Sequence, residues 1–477
     1  MRSRIQLILL PLGMITFLAL FLMMERRPGW FANTEYLGAI LAVQISLAAL
    51  SHFEDIFFPL LMGTFLWAGS FLPFYGTGMS LRWLFLGVGA LGGFVIWIKS
   101  PRARHFGAFH LVALFCVLSA LVSAVVSEVP RTALLKVLSL FLLFLYVSSG
   151  ARVAIGGGKE KFINGLVLAC EVLVYVSAAS YALGFGVFGN PNALGAIIGV
   201  AAVPILLWAA LIAETRGLRQ RRFFALILCG GLLYLANSRA SILGAAIVVL
   251  VLTVALRRQR LLMRCAFLCV FFLTVMAVVN PSGMDARVSE FTGRVLYKEQ
   301  GTYHGMFGSR LSPWIETLSV VKRHPWFGSG FGTSELGDLR QDLGDSSIYT
   351  KEGTNREHGN SYLALAEYMG LLGAVPFLVL LFMLVRVLVR IYKWMRRTGD
   401  PYHPCIPFAL VAIAGLVHAC FEDWLFAVGS YLCVFFWVAA FGLMDMLPEL
   451  DPGRAPAVFR RRPDPVPAPA SVAHSVR

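Results

Sequence analysis

SRLSPWIETLSVVKRHPWFGSGFG, residues 309–332, and HGNSYLALAEYMGLLG, residues 358–373, are the stretches on which the reading of this chain turns. The first lies within the one long polar segment of the sequence, about residues 280–362, and the second begins at its end. Everywhere else one apolar run follows another. Lys and Arg nearly balance Asp and Glu in the polar segment, as expected of a folded, mixed-charge insert and not of a basic tether to anionic lipid.

Composition gives the class of the surrounding chain. Hydrophobic residues make up 58% of the 477, charged residues 14%, and the mean hydropathy is +0.73. Soluble domains carry about 25% charged residues. A helix needs roughly 20 apolar residues to cross the hydrocarbon core, where backbone polar groups must pair internally. The expectation is an all-α polytopic membrane protein with about 14 transmembrane helices and one large, partly helical periplasmic loop. The apolar runs cover residues 5–23, 35–50, 56–74, 81–98, 107–126, 133–150, 162–184, 193–213, 223–237, 240–256, 265–280, 362–385, 405–421 and 425–446. The first run reads as an uncleaved span, since no small-residue cleavage site follows it. The chain thus divides into a bundle over 1–280, a loop over 281–361, three further spans over 362–447, and a Pro/Ala/Arg-rich tail over 448–477 that reads as disordered and cytoplasmic. No internal repeat and no pair of matching broken spans is evident.

The net charge of +15 does not point to nucleic acid, because it is spread over short connections. Arg and Lys gather between alternate spans, at residues 99–104, 152–161, 216–222, 257–264 and 386–397, which puts those connections and both termini in the cytoplasm and the long loop outside. The eight cysteines sit almost entirely in apolar runs, without metal-ligand spacing to histidines, and read as small buried residues.

Candidate chemistry concentrates at the outer face. After Arg310, Ser312 and Pro313 signal a helix start and Pro325 a stop, so Arg310 is expected just before a helix N-terminus. There it can bind an anion or pair with a loop carboxylate. Arg239, in a very short outside connection, either snorkels to the interface or holds phosphate with its planar fork. His358, nearest the return to the membrane, is a candidate base, with His304 and His324 as competitors. Glu367, inside the next span, is a site candidate by its position, or a partner for a nearby arginine. Glu422 and Asp423, at the outer end of the 405–421 run, are possible acid partners, or the base should His358 not be it, with solvated interfacial carboxylates as the preferred reading.

Taken together, GNPNALG (189–195), NSRASILG (237–244) and the two stretches quoted first resemble the O-antigen ligase and O-antigen polymerase superfamily of bacterial inner membranes, over about residues 185–385. The resemblance rests on the order of the motifs: an outside Ser-Arg at a span end, a loop arginine followed by Trp and a His-Pro-hydrophobic-Gly-x-Gly turn, and a histidine motif entering a span. It implies transfer of a glycan from a polyprenyl diphosphate-linked oligosaccharide donor to a hydroxyl of a glycan acceptor, with inversion and with neither metal nor cofactor. Arg239 and Arg310 would hold the diphosphate, and His358 would act as base or orient the acceptor. Asn360, Glu367 and Asn192 would bind substrate. The family pattern has His followed directly by Asn, whereas here Gly359 intervenes, so either His358 or Asn360 fills that position. The implied setting is a multi-pass protein of the inner membrane, acting with a chain-length regulator and a flippase. Polymerisation of capsule, exopolysaccharide or O-antigen units is the preferred reading, with ligation to lipid A core or protein as the alternative. A lipid-linked oligosaccharide flippase is the competing class, but transporters tend to carry repeats and broken mid-membrane helices.

Overall fold

The computed structural model describes residues 44–73, 75–99, 106–188, 190–280, 308–334 and 357–447, with a few isolated positions besides. Those residues are helical throughout apart from connecting segments and one antiparallel bridge between Ser70 and Phe188. In chain order the helices are α1 (Gln44–Ser51), α2 (Phe53–Ala68), α3 (Tyr75–Lys99), α4 (Ala108–Val125), α5 (Pro130–Gly157), α6 (Lys159–Ala182) and α7 (Pro191–Leu211). They continue with α8 (Arg216–Ala236), α9 (Arg239–Ala255), α10 (Gln259–Val279), α11 (Gly308–Arg323), α12 (Ser361–Thr398), α13 (Cys405–His418) and α14 (Tyr431–Met446).

Among these, α3, α4, α5, α6, α7 and α12 are long and apolar enough to cross a membrane. Where the sequence suggests two separate spans at 35–50 and 56–74, α1 and α2 meet at a 118° bend and together make at most one more. Four apolar helices are shorter: α9, α13, α14 and the Ala266–Val279 part of α10. At 1.5 Å per residue α13 rises only about 21 Å, less than the roughly 30 Å of a hydrocarbon core. Its position explains how so short a helix is stable. Nearly every side chain of α13 and α14 is buried, so their surroundings are protein and not lipid. The expected first span at 5–23, the tail, His304 and most of the long loop lie outside the described residues.

The decisive packing feature is a break in α12. Gly370 has φ +62° and ψ −174°, a conformation open essentially to glycine alone. The backbone groups it frees cannot stay unpaired in an apolar interior. The turn after α11 satisfies them: the Leu371 N–H donates to the Pro325 carbonyl (2.7 Å) and the Leu372 N–H to that of Trp326 (3.1 Å). On the other side the Ser329 N–H donates to the Glu367 carbonyl (2.9 Å), and the Ser123 hydroxyl of α4 donates to that of Tyr368 (2.5 Å). The HPWFGSGFG turn and the EYMGLLG segment are therefore two halves of one joint. Hydropathy sees α12 as an unbroken span, because the interruption costs no apolar residue.

A methyl group at Gly370 would lie 2.4 Å from the Trp326 carbonyl carbon. Gly370→Ala should therefore lower folding stability by more than about 2 kcal/mol, combining backbone strain with steric conflict. Gly230→Ala, on a helical site of α8 with nothing within 4 Å, should be neutral or stabilising by up to about 1 kcal/mol. Thermal unfolding of the two variants in lipid nanodiscs checks both.

Candidate active site

The segment leading into α12 gathers the charged groups. Asn360 caps the helix, its side-chain oxygen accepting from the N–H groups of Tyr362 (2.8 Å) and Leu363 (3.1 Å). Ser361 ties the helix start to the 419–425 connection: its N–H donates to the Ala419 carbonyl (2.9 Å) and its hydroxyl to the Glu422 carbonyl (2.6 Å). Of the two carboxylates that follow α13, Asp423 is thereby set beside His358 and Glu422 beside Arg310.

His358 is fully buried and faces a carboxylate on each side. Its Nδ1 lies 3.1 Å from Asp423 Oδ2, and its backbone N–H donates to the same oxygen at 3.0 Å. Nε2 lies 3.3 Å from Oε1 of Glu367, itself fully buried and held by the Ser334 hydroxyl at 2.8 Å. The Tyr368 ring stands edge-on to the imidazole, with centroids 5.0 Å apart. Burial alone would push the imidazole toward its neutral form, but the two carboxylates outweigh burial and raise its pKa above the ordinary 6.5. Asp423 moves the other way: burial would raise its pKa, and the bonds from His358 bring it below the ordinary value. Both ring nitrogens of His358 thus face carboxylates, Nδ1 toward Asp423 and Nε2 toward Glu367.

Arg310 lies on the adjoining helix. The helix starts earlier than Ser312 and Pro313 suggest: it begins at Gly308, encloses Pro313, and leaves the Ser312 hydroxyl bonded to Glu316 (2.8 Å) instead of to a capping position. Arg310 therefore occupies the first turn and does not precede it. Its Nη1 donates to Glu357 (2.7 Å), and its Nη2 makes a close contact with Glu422. Of the two readings of Arg310, pairing with carboxylates is the arrangement seen here. Gly359 lies directly beneath, at φ +62°, where a Cβ would come within 2.9 Å of Arg310 Cδ. Its carbonyl accepts from the Trp314 indole at 3.2 Å. The glycine between His358 and Asn360 thus lets the histidine turn inward, the asparagine cap the helix, and the arginine cross between them.

Arg239 opens α9, close enough for the charge of Arg310 to bear on it. Ser238 and Ser241 share a hydrogen bond of 2.7 Å, Ser241 meets His418 Nε2 at 3.1 Å, and the Trp424 indole donates to His418 Nδ1 at 2.8 Å. This buried chain connects the start of α9 to the carboxylate-bearing connection. Asn192 is joined to the site at one remove: it follows Pro191 at the start of α7, and Gly195, one turn on, packs against Ser238. His324 is exposed at the end of α11, away from the buried imidazole. Sequence reasoning assigned Glu422 and Asp423 to solvent, whereas they are the partners of Arg310 and His358; it missed Ser334 and His418 altogether. Among the described residues no three of His, Cys, Asp or Glu are arranged to hold a metal ion, and none of the described cysteines forms a disulfide.

Residues 223–378 match the family described as O-antigen ligase, a segment that contains Arg239, Arg310, His358, Glu367 and Gly370. This agrees with the superfamily that the motifs resemble. No curated protein matches the chain.

The coupled pair has a signature in stability. With its folded pKa raised, His358 stabilises fully below about pH 6.5, and that contribution is lost as pH rises through the folded value. Asp423, lowered, contributes above about pH 3.8 and loses its contribution as pH falls through its own folded value. Melting temperature should therefore decline as pH rises beyond 7. Asp423→Asn should cost about 3–5 kcal/mol at pH 6 and weaken that decline, with Glu367 alone left to raise the imidazole. Parallel pH–melting curves for the variant and the parent would show that the pair does not carry it.

Proposed function

We propose, from the O-antigen ligase family match over residues 223–378, that the protein transfers a glycan from a polyprenyl diphosphate carrier to an acceptor hydroxyl at the periplasmic face of the bacterial inner membrane. The observation that carries this reading is Arg310 in the first turn of α11, bonded to Glu357 and Glu422 beside the segment that holds the buried His358, with Arg239 at the start of α9 near enough for the charge of Arg310 to bear on it. Arg310 already pairs with two carboxylates, and a diphosphate is an anion able to compete with them for it. A diphosphate supplies enough oxygens for both forks, and it gathers negative charge as the glycosidic bond breaks. Arginines so placed stabilise the leaving group without a divalent ion. Asn192 and Asn360 would lie along the path of the sugars.

His358 fits a positioning role better than that of base. Held between Asp423 and Glu367, it fixes the 419–425 connection against α12 and so sets where Glu422 meets Arg310. The acceptor we favour is the end of another lipid-linked repeat unit, making the reaction a polymerisation. The name of the matching family, O-antigen ligase, favours the second reading, ligation of finished polymer. A deletion strain separates them: single repeat units in place of long chains indicate a polymerase, and polymer that no longer reaches lipid A indicates a ligase.

In a transfer assay run in excess chelator, the unaltered protein should remain active. Arg239→Lys and Arg310→Lys, which keep charge but lose the bidentate fork, should each reduce the rate about 10²–10³-fold. Lysine variants as active as the parent, or activity that requires added magnesium, would contradict the arginine assignment.

A further inference from the structure

The proposed transfer needs a group to take the proton of the attacking hydroxyl, and the contacts around Arg310 single one out. Asp423 is engaged by two hydrogen bonds from His358, and Glu367 is fully buried between His358 and Ser334. Glu357 is two-thirds exposed, on the outer side of Arg310. Glu422 differs from all three. It is partly enclosed, at 20% side-chain exposure, and its backbone is pinned by Ser361. Its carboxylate is bonded to Arg310, the guanidinium that the donor would recruit.

Building on the reading above, we propose that Glu422 is the proton acceptor of the transfer, masked by Arg310 until the donor's diphosphate draws that arginine away. The fork of Arg310 cannot serve Glu357, Glu422 and a diphosphate at once, so donor binding competes directly with the carboxylates. Once Arg310 turns to the phosphate oxygens, Glu422 keeps its fixed backbone position but loses its cation. The acceptor O–H then gives its proton to the Glu422 carboxylate while the acceptor oxygen bonds to the anomeric carbon. The bond from that carbon to the phosphate oxygen breaks, its electron pair stays on the lipid diphosphate, and the protonated carboxyl afterwards releases its proton to water. An unoccupied site has its base neutralised by Arg310, which keeps water from being activated in its place.

The groups facing Glu422 are Arg310 of α11, Glu357 of the segment before α12, and Asp423 of its own connection. Burial, with the negative charges of Glu357 and Asp423, outweighs Arg310 and lifts the carboxyl to about 7, where a general base is effective. Losing Arg310 to an anion raises it further.

The test uses the full-length protein in lipid nanodiscs, with undecaprenyl diphosphate as the binding probe and a lipid-linked oligosaccharide for turnover. Glu422→Gln should bind undecaprenyl diphosphate as tightly as the parent or more tightly, because Arg310 is released. Its turnover should fall about 10²–10⁴-fold, and the rise of rate with pH above about 7 should disappear. Glu422→Asp should retain part of the rate and the pH dependence. Glu422→Gln with parental turnover and an intact pH profile overturns the proposal. Loss of probe binding in step with turnover overturns it too, since Glu422 would then only support Arg310. Failure of the underlying reading would look different: Arg239→Lys and Arg310→Lys would bind undecaprenyl diphosphate as the parent does.

Discussion

The site depends on one buried contact, the His358 imidazole between the carboxylates of Asp423 and Glu367. Burying His358 and Glu367 against a partly exposed Asp423 is costly, and it is tolerable only when each has a partner and the remaining acceptors are met. Here the Ser334 hydroxyl and the His358 backbone N–H meet two of them. The contact joins three places distant in sequence: the entry to α12, the stretch after α13, and the turn after α11. Removing any member would leave a charge without compensation, so the arrangement behaves as a unit.

A second constraint makes the first possible. Glu367 can present its side chain to His358 and its carbonyl to Ser329 because α12 breaks at Gly370, one turn further on, and the glycine-rich turn fills the break. The same joint places α11 so that Arg310 crosses Gly359 and reaches Glu422. Backbone hydrogen bonding in an apolar interior thereby sets the position of a largely enclosed arginine.

Much of this was legible from the sequence. The polar segment, the helix over the SRLSPW stretch, and the arginines and histidine that now lie together all stand out against an apolar background. Two things were not. Glu422 and Asp423 lie about 65 residues beyond His358, across α12 and α13, and no local pattern says which of many interfacial carboxylates will meet a given cation. The span count is met only in part: among the described residues six helices, or seven with the bent pair, are long and apolar enough to cross a membrane, while α13 and α14 are as apolar but shorter and enclosed by protein. Ser312 and Pro313 carry a standard start signal, yet the helix begins at Gly308, so tertiary contacts of the first turn, with Arg310 held by Glu357 and Glu422, prevail over local preference.

The central claim is that Arg239 and Arg310 hold one diphosphate between them. It is tested most directly by determining the structure of the protein with undecaprenyl diphosphate bound in a lipid nanodisc. The account predicts phosphate oxygens within hydrogen-bonding distance of both guanidiniums, with Arg310 withdrawn from Glu422. A diphosphate bound elsewhere, with the Arg310–Glu422 contact intact, would contradict it.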